Sequence, residues 1–294
     1  MAIVEGGRTT HTTLECRNVA DSLRFYRDVM GLRVNQIAPA VGHVIDAKGQ
    51  YAAALQQAHP GPQPFLNFYA RPVAGPAEVD AVHAQIAAVR EAYRIAEITA
   101  PAHEHPARFG VASYGFYVND LDGNWWRIED NQGPFGAVEL PEAAEPRGSI
   151  VPAGPVSYVV LESRQLPVSI RFYREFLGLE VAQPAPHYCL LSDPDGWVRV
   201  IAVEVGERLV PQKVSNHHGI TLPGGPEVID ALHARATASA EDFGLKKVFS
   251  ATHQHGSYSF YFQDADTNWW ELEIWKDAIS PVARGLERSK PSRT

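Results

Sequence analysis

The feature that most constrains this chain is that it is written twice. Ser22-Leu-Arg-Phe-Tyr-Arg-Asp-Val-Met-Gly-Leu-Arg-Val34 returns as Ser169-Ile-Arg-Phe-Tyr-Arg-Glu-Phe-Leu-Gly-Leu-Glu-Val181, an offset of 147. Val79-Asp-Ala-Val-His83 matches Ile229-Asp-Ala-Leu-His233 at an offset of 150, and His103-Glu-His105 matches His253-Gln-His255. Tyr114-Gly-Phe-Tyr117 pairs with Tyr258-Ser-Phe-Tyr261, and Asp120 to Trp126 pairs with Asp264 to Trp270, both at 144. The fall from 150 to 144 places a six-residue deletion in the second copy, opposite Pro106-Ala-Arg-Phe-Gly-Val111. A repeat of this length is a domain rather than a solenoid unit. The 294 residues are also enough for two domains, each with its own core.

Within each copy the pattern doubles again. A strand over 10–16 precedes a helix over 21–30, with Asp21 as a candidate N-cap and Gly31 suited to the C′ position. Strand-like runs follow to about 57, then a strand over 66–71, a helix over 77–92 and strands ending at 125–129. The second copy runs likewise: strand 156–162, a helix opened by Pro167, strands to 205, strand 217–222, helix 226–239 and strands to 275. The expected fold class is therefore α+β, four βαβββ units in two tandem domains. The N-terminal domain spans 1–134, a Pro/Gly/Ala-rich linker 135–155, the C-terminal domain 156–280 and a polar tail 281–294.

Composition narrows the partners. The formal charge is -8 and no long basic run occurs, so nucleic acid and acidic membranes have no electrostatic support. No apolar run is long enough to span a bilayer, and no signal-peptide pattern opens the chain. Cys16 and Cys189 are the only cysteines. One bridge is conceivable but a disulfide framework is not, and a cytoplasmic location is the simplest expectation.

The strand, then Ser-x-x-Phe-Tyr and Leu-Gly-Leu, then Asp-x-Asp-Gly-Asn-x-x-Glu resembles the vicinal oxygen chelate superfamily, which groups glyoxalases, bleomycin resistance proteins and extradiol dioxygenases. It stands as Asn18 to Leu32 with Asp120 to Glu129, and as Gln165 to Leu179 with Asp264 to Glu273. The resemblance implies paired βαβββ units forming incomplete barrels. Two paired domains in one chain resemble the type I extradiol dioxygenases, with a metal-free N-terminal domain and Fe(II) held by two His and one Glu in the C-terminal one.

On that resemblance the metal positions of the second copy fall on Tyr158, the His217-His218 pair and Glu271. His218 is the expected ligand of the pair, because the second His ligates where such pairs occur in extradiol enzymes. His217 replaces it only if the strand register shifts by one, since neighbours on a strand face opposite ways. The first copy reads His11, Phe68 and Arg127 at the same positions, and so is expected to be metal-free. Tyr158 ligates only if a metal lowers its phenol pKa from about 10; otherwise it packs or hydrogen-bonds. Tyr261, ten residues before Glu271, falls where the family aims a tyrosine at substrate. His253 and His255 lie in the loop of the acid–base histidine, a task that suits imidazole. Tyr117, His103 and His105 repeat these residues in the first copy, so a structural role fits them too. The further active-site His that extradiol enzymes carry on the strand before the fourth unit is missing from Trp197 to Glu204.

These residues give three readings: ring cleavage of a small catecholic substrate with O2, metal-free binding of an aromatic metabolite or antibiotic, and a non-redox metal-dependent lyase or isomerase. Exposed strand edges of incomplete barrels pair readily, which leads us to expect a homo-oligomer.

Overall fold

The computed structural model describes residues 2–4, 7–49, 52–61, 63–141, 145–193, 199–254 and 256–275; His255 and the polar tail lie outside them. The first copy contains β1 (Arg8–Cys16), α1 (Val19–Asp28), β2 (Arg33–Ala38), β3 (Val41–Ile45), β4 (Ala52–Gln57), β5 (Phe68–Val73), α2 (Pro76–Ala88), β6 (Glu97–Ile98), β7 (Ala102–His103), α3 (Pro106–Phe109), β8 (Tyr114–Asn119) and β9 (Trp125–Asp130). The second contains β10 (Tyr158–Ser163), α4 (Leu166–Arg171), which runs into a wide π turn over Phe172–Phe176, β11 (Glu180–Ala185), β12 (Tyr188–Ser192) and β13 (Arg199–Glu204). It ends with β14 (His217–Thr221), α5 (Pro226–Ala238), β15 (Lys247–Val248), β16 (Thr252–Gln254), β17 (Ser257–Gln263) and β18 (Trp269–Trp275). The class is α+β, with the strands gathered into mixed sheets; β1–β4 and β10–β13 follow the βαβββ order, and in the other two units the first strand after the helix is split into short pieces, β6/β7 along β8 and β15/β16 along β17. No helix among the described residues is long and apolar enough to cross a membrane.

Local chemistry accounts for the element ends. Asn18, rather than Asp21, caps α1: its side-chain oxygen accepts the Asp21 amide at 3.0 Å, satisfying a donor with no partner inside the helix. Gly31 adopts φ +63° just past the helix end, where a Cβ would meet the Val151 carbonyl. The Asp-x-Asp repeats are turn devices. Asp120 accepts the Asp122 and Asn124 amides, and Asp264 accepts those of Asp266 and Asn268, each at 2.9 Å. Ser22 and Ser169 then donate from their helices to Asp122 and Asp266, so the two halves of the repeated motif meet in space.

The chain forms two compact units, and neither is one continuous stretch. One comprises Met1–Thr13, Glu162–Val198 and Ala202–Thr294; the other comprises Leu14–Leu161 and Arg199–Ile201. In the first unit the strand order is β15-β17-β18-β14-β1, with β14 and β18 parallel. In the second it is β10-β5-β9-β8-β6, with β5 and β9 parallel. The opening strand of the first copy thus runs antiparallel to β14, with His11 opposite Gly219. The opening strand of the second copy runs against β5, with Tyr158 opposite Ala70. The sequence boundary at 135–155 separates the copies but does not coincide with the border between these units.

Candidate metal centre

In the first unit, β17, β18, β14 and β1 each turn alternate side chains to one face. The register places Tyr261 beside Glu271, Glu271 beside Gly219 and Gly219 beside His11; one pair along, Trp269 lies beside His217. His11, His217 and Glu271 meet on this face, with ligand atoms within 4.8 Å of one another. All three are buried. His217 Nε2 lies 3.2 Å from Glu271 Oε2, and His11 Nε2 lies 3.5 Å from the same oxygen.

Each imidazole is held from behind. His217 Nδ1 lies 2.8 Å from the Val214 carbonyl, which can only accept, so Nδ1 carries a proton and Nε2 is the atom turned to Glu271. His11 Nδ1 is 3.4 Å from Glu273 Oε1 and 3.2 Å from Thr10 Oγ1. Thr221 donates to Glu273 at 2.8 Å. Burial alone would lower the His11 pKa, but Glu273 and Glu271 outweigh it and the net shift is upward. Burial also disfavours ionised Glu271, yet hydrogen bonds and charge from His11 and His217 hold its carboxyl well below the usual range. Two imidazoles and a carboxylate converge, a donor set that could hold a cation between them.

The structure brings some of the expected residues here and leaves others out. Glu271 is present, and so is Tyr261, whose ring is 4.8 Å from that of His217 and whose hydroxyl bonds Glu271. His218 is absent from the cluster. It faces the opposite way, 5.5 Å from the Trp270 ring, and burial pushes its pKa down to about 3. His217 takes its place, because β14 carries the same face as Phe68 at an offset of 149 rather than 150. The extra residue lies between β14 and α5, where Pro223-Gly-Gly225 stands against Ala74-Gly75. A one-residue slip exchanges the two faces of a strand.

Tyr158 is also absent from the cluster. Its strand belongs with β5, and its ring packs 6.3 Å from Phe68 and 6.1 Å from Phe135. Its structural counterpart, His11, supplies the imidazole instead. His253 is exposed and pairs with Tyr258 on the helix-facing side, at 4.6 Å between rings, so it does not reach the site.

Gln254 joins the site without having been expected. Its side-chain nitrogen donates to Ser259 Oγ at 2.8 Å and faces Glu271 Oε1 at 3.4 Å. A signal existed: where the second copy pairs Gln254 with Glu271, the first pairs Glu104 with Arg127, at 3.1 Å. An amide donor suits a carboxylate neighbour, and a carboxylate suits a guanidinium.

Gly219 is the residue on which the cluster's closeness depends. A Cβ there would fall inside the His11 ring. Gly219→Ala is expected to push His11 off the face and weaken metal affinity by at least about tenfold, comparable to losing a group that orients a ligand. Equilibrium dialysis against the divalent ion checks this.

Residues 8–141 match the model of the Glyoxalase/Bleomycin resistance protein/Dioxygenase superfamily. No curated protein matches by sequence. Among solved structures, glyoxalase I from Zea mays is 14% identical, with 95% of this chain and 96% of that chain covered and a TM-score of 0.62. The 2,3-dioxygenase LapB from Pseudomonas sp. KL28 is 17% identical, covering 91% of each chain, with a TM-score of 0.32. The maize structure shares the fold, and the family match itself covers residues 8–141, a little under half of the chain.

Proposed function

We propose that this chain is a mononuclear metal-dependent oxygenase of the extradiol type, holding Fe(II) on His11, His217 and Glu271 and acting on a catecholic substrate. The observation that carries the reading is the composition of the cluster. Two imidazoles and one carboxylate on one face are the donor set of non-haem iron oxygenases, and three protein ligands leave coordination positions for substrate. Ligand atoms bound at about 2.1 Å with right-angled geometry lie about 3 Å apart, and the His217–Glu271 and His11–Glu271 separations of 3.2 and 3.5 Å suit that arrangement. A divalent iron bound there would bring a vicinal diolate and O2 into one coordination sphere.

The chain's own groups have separate tasks. Glu273 and the Val214 carbonyl hold the two rings in position, and Gln254 restrains the remaining Glu271 oxygen. Tyr261, held protonated by burial and by its carboxylate neighbours, donates to Glu271 and would turn that O–H to a substrate oxygen once Glu271 held the metal. Glu273 stands on the metal face of β18 as a second carboxylate. That observation favours a second reading, a non-redox isomerase of the glyoxalase kind, in which Glu273 would serve as base.

The deciding experiment is anaerobic reconstitution with Fe(II), followed by an oxygen electrode with a catechol panel. Stoichiometric O2 uptake that disappears in Glu271→Ala supports the oxygenase. Turnover of a 2-oxoaldehyde–thiol adduct with Ni(II), Mn(II) or Zn(II), and no O2 uptake, replaces it with the isomerase.

A further inference from the structure

The two units repeat the same face, so they can be compared position by position. Along the metal-bearing face one row reads Phe249, Tyr261, Glu271, Gly219 and His11; the next reads Lys247, Gln263, Trp269 and His217. The second unit reads Thr99, Tyr117, Arg127, Ala70 and Tyr158, then Glu97, Asn119, Trp125 and Phe68. The central tyrosine and tryptophan keep their types. Besides the ligand positions, the edge strand changes most in character: Glu97 becomes Lys247, and Thr99 becomes Phe249. Residues that switch together with the ligand set are best explained as parts of the same site.

The environments differ in the same sense. In the second unit Phe65 packs 4.6 Å from Tyr117 and 5.0 Å from Trp125. Phe109, from the six-residue block that the second copy lacks, is 2% exposed and packs 6.1 Å from Phe68. That face is filled by the chain's own rings. In the first unit the loop position matching Phe65 is Val214, 38% exposed, and Phe249 is 43% exposed against Trp269 at 5.3 Å. Lys247 Nζ lies 5.9 Å from the centre of the Trp269 ring. Exposed apolar groups rimmed by a charge mark a ligand-binding surface.

We infer that the ligand of the metal-bearing face carries a carboxylate at the end remote from its chelating oxygens, lying along Phe249 and pairing with Lys247. This rests on the metal reading of the site. Two strand spacings of about 4.8 Å and two residue steps of about 3.4 Å set Lys247 roughly 12 Å from Glu271 at the backbone. An extended lysine covers about half of that and leaves about the length of a substituted benzene ring. The chain's net charge of -8 repels anions at long range, so a local cation at the mouth is what would select one.

The test uses full-length protein loaded with Fe(III) and two probes, catechol and 3,4-dihydroxybenzoate, read by the charge-transfer band of the chelate. Lys247→Gln is expected to raise the Kd of 3,4-dihydroxybenzoate about fivefold, the upper range for an exposed ion pair, and Lys247→Glu to raise it further. Both should leave catechol within about twofold, and the effect should shrink as salt is added. An unchanged Kd for 3,4-dihydroxybenzoate in both variants, with chelation intact, overturns the carboxylate assignment alone. A wild-type protein that chelates neither probe overturns the metal reading and this inference with it.

Discussion

Replacing His11 with alanine should abolish stoichiometric metal binding, whereas Tyr158→Phe should leave it unchanged within about twofold. His11 contributes Nε2 to the cluster at 3.5 Å from Glu271, while Tyr158 stands in the second unit opposite Ala70. Loss of a group that merely orients a ligand costs about 10- to 100-fold in affinity, so loss of the ligand itself should exceed about 100-fold. The adjacent histidines give the matching contrast. His217→Ala should bring a comparable loss, and His218→Phe should retain the metal, because His218 packs behind the strand against Trp270. Titration calorimetry with Fe(II) or Mn(II) under anaerobic conditions, with thermal melts as a folding control, reads all four. If His218→Phe lost the ion and His217→Ala kept it, the assigned face of β14 would be wrong.

The sequence carried much of the fold because its signals are local. Paired blocks at nearly constant offsets exposed the duplication, and the helices came from apolar spacing, Pro at the first turn and glycine past the end. Glu271 and Tyr261 were named by the resemblance, and the constant offset of 144 on either side of them left no room for a slip. The two ligand positions that differ have separate physical causes. His218 was chosen because the second His of such a pair ligates in extradiol enzymes; a resemblance of that kind does not fix the register of this strand, and on a strand one residue is a whole face. Tyr158 was reached by assuming that each copy closes on itself. Which opening strand pairs with which later strand is decided by long-range packing, and no local pattern around His11 or Tyr158 records that β1 runs beside β14 and β10 beside β5. The register within each copy was sound, so His11 was already identified as the counterpart of Tyr158; the partner strand was what the pattern lacked.

The same pairing explains what the second unit does with the position that holds Glu271 in the first. Arg127 is 2% exposed and lies 2.8 Å from Glu129 and 3.1 Å from Glu104, with Tyr117 donating to Glu104 at 2.7 Å. A fixed guanidinium there supplies the positive charge that two buried carboxylates require, as a cation would on the other face. Arg127→Met keeps much of the volume and removes the charge, leaving buried Glu129 without its guanidinium and Glu104 with Arg108 alone, at 3.1 Å, as its cation. Breaking a buried pair in this way costs about 3–5 kcal/mol, read as a lower midpoint in urea unfolding. The pH dependence fixes the cause. Burial already raises the Glu129 pKa against the opposing pull of Arg127, and losing Arg127 raises it further above the unfolded value of about 4.3. A carboxyl whose folded pKa is raised contributes its stability below the unfolded pKa and loses it as pH climbs through the folded one. The variant should therefore lie closest to wild type near pH 4 and fall progressively behind it towards pH 7. Adding Glu104→Gln and Glu129→Gln to Arg127→Met should flatten that slope and restore part of the midpoint. A deficit that stays constant across this range, or that the added substitutions deepen, would mean that the site depends on the packing of the arginine stem rather than on its charge.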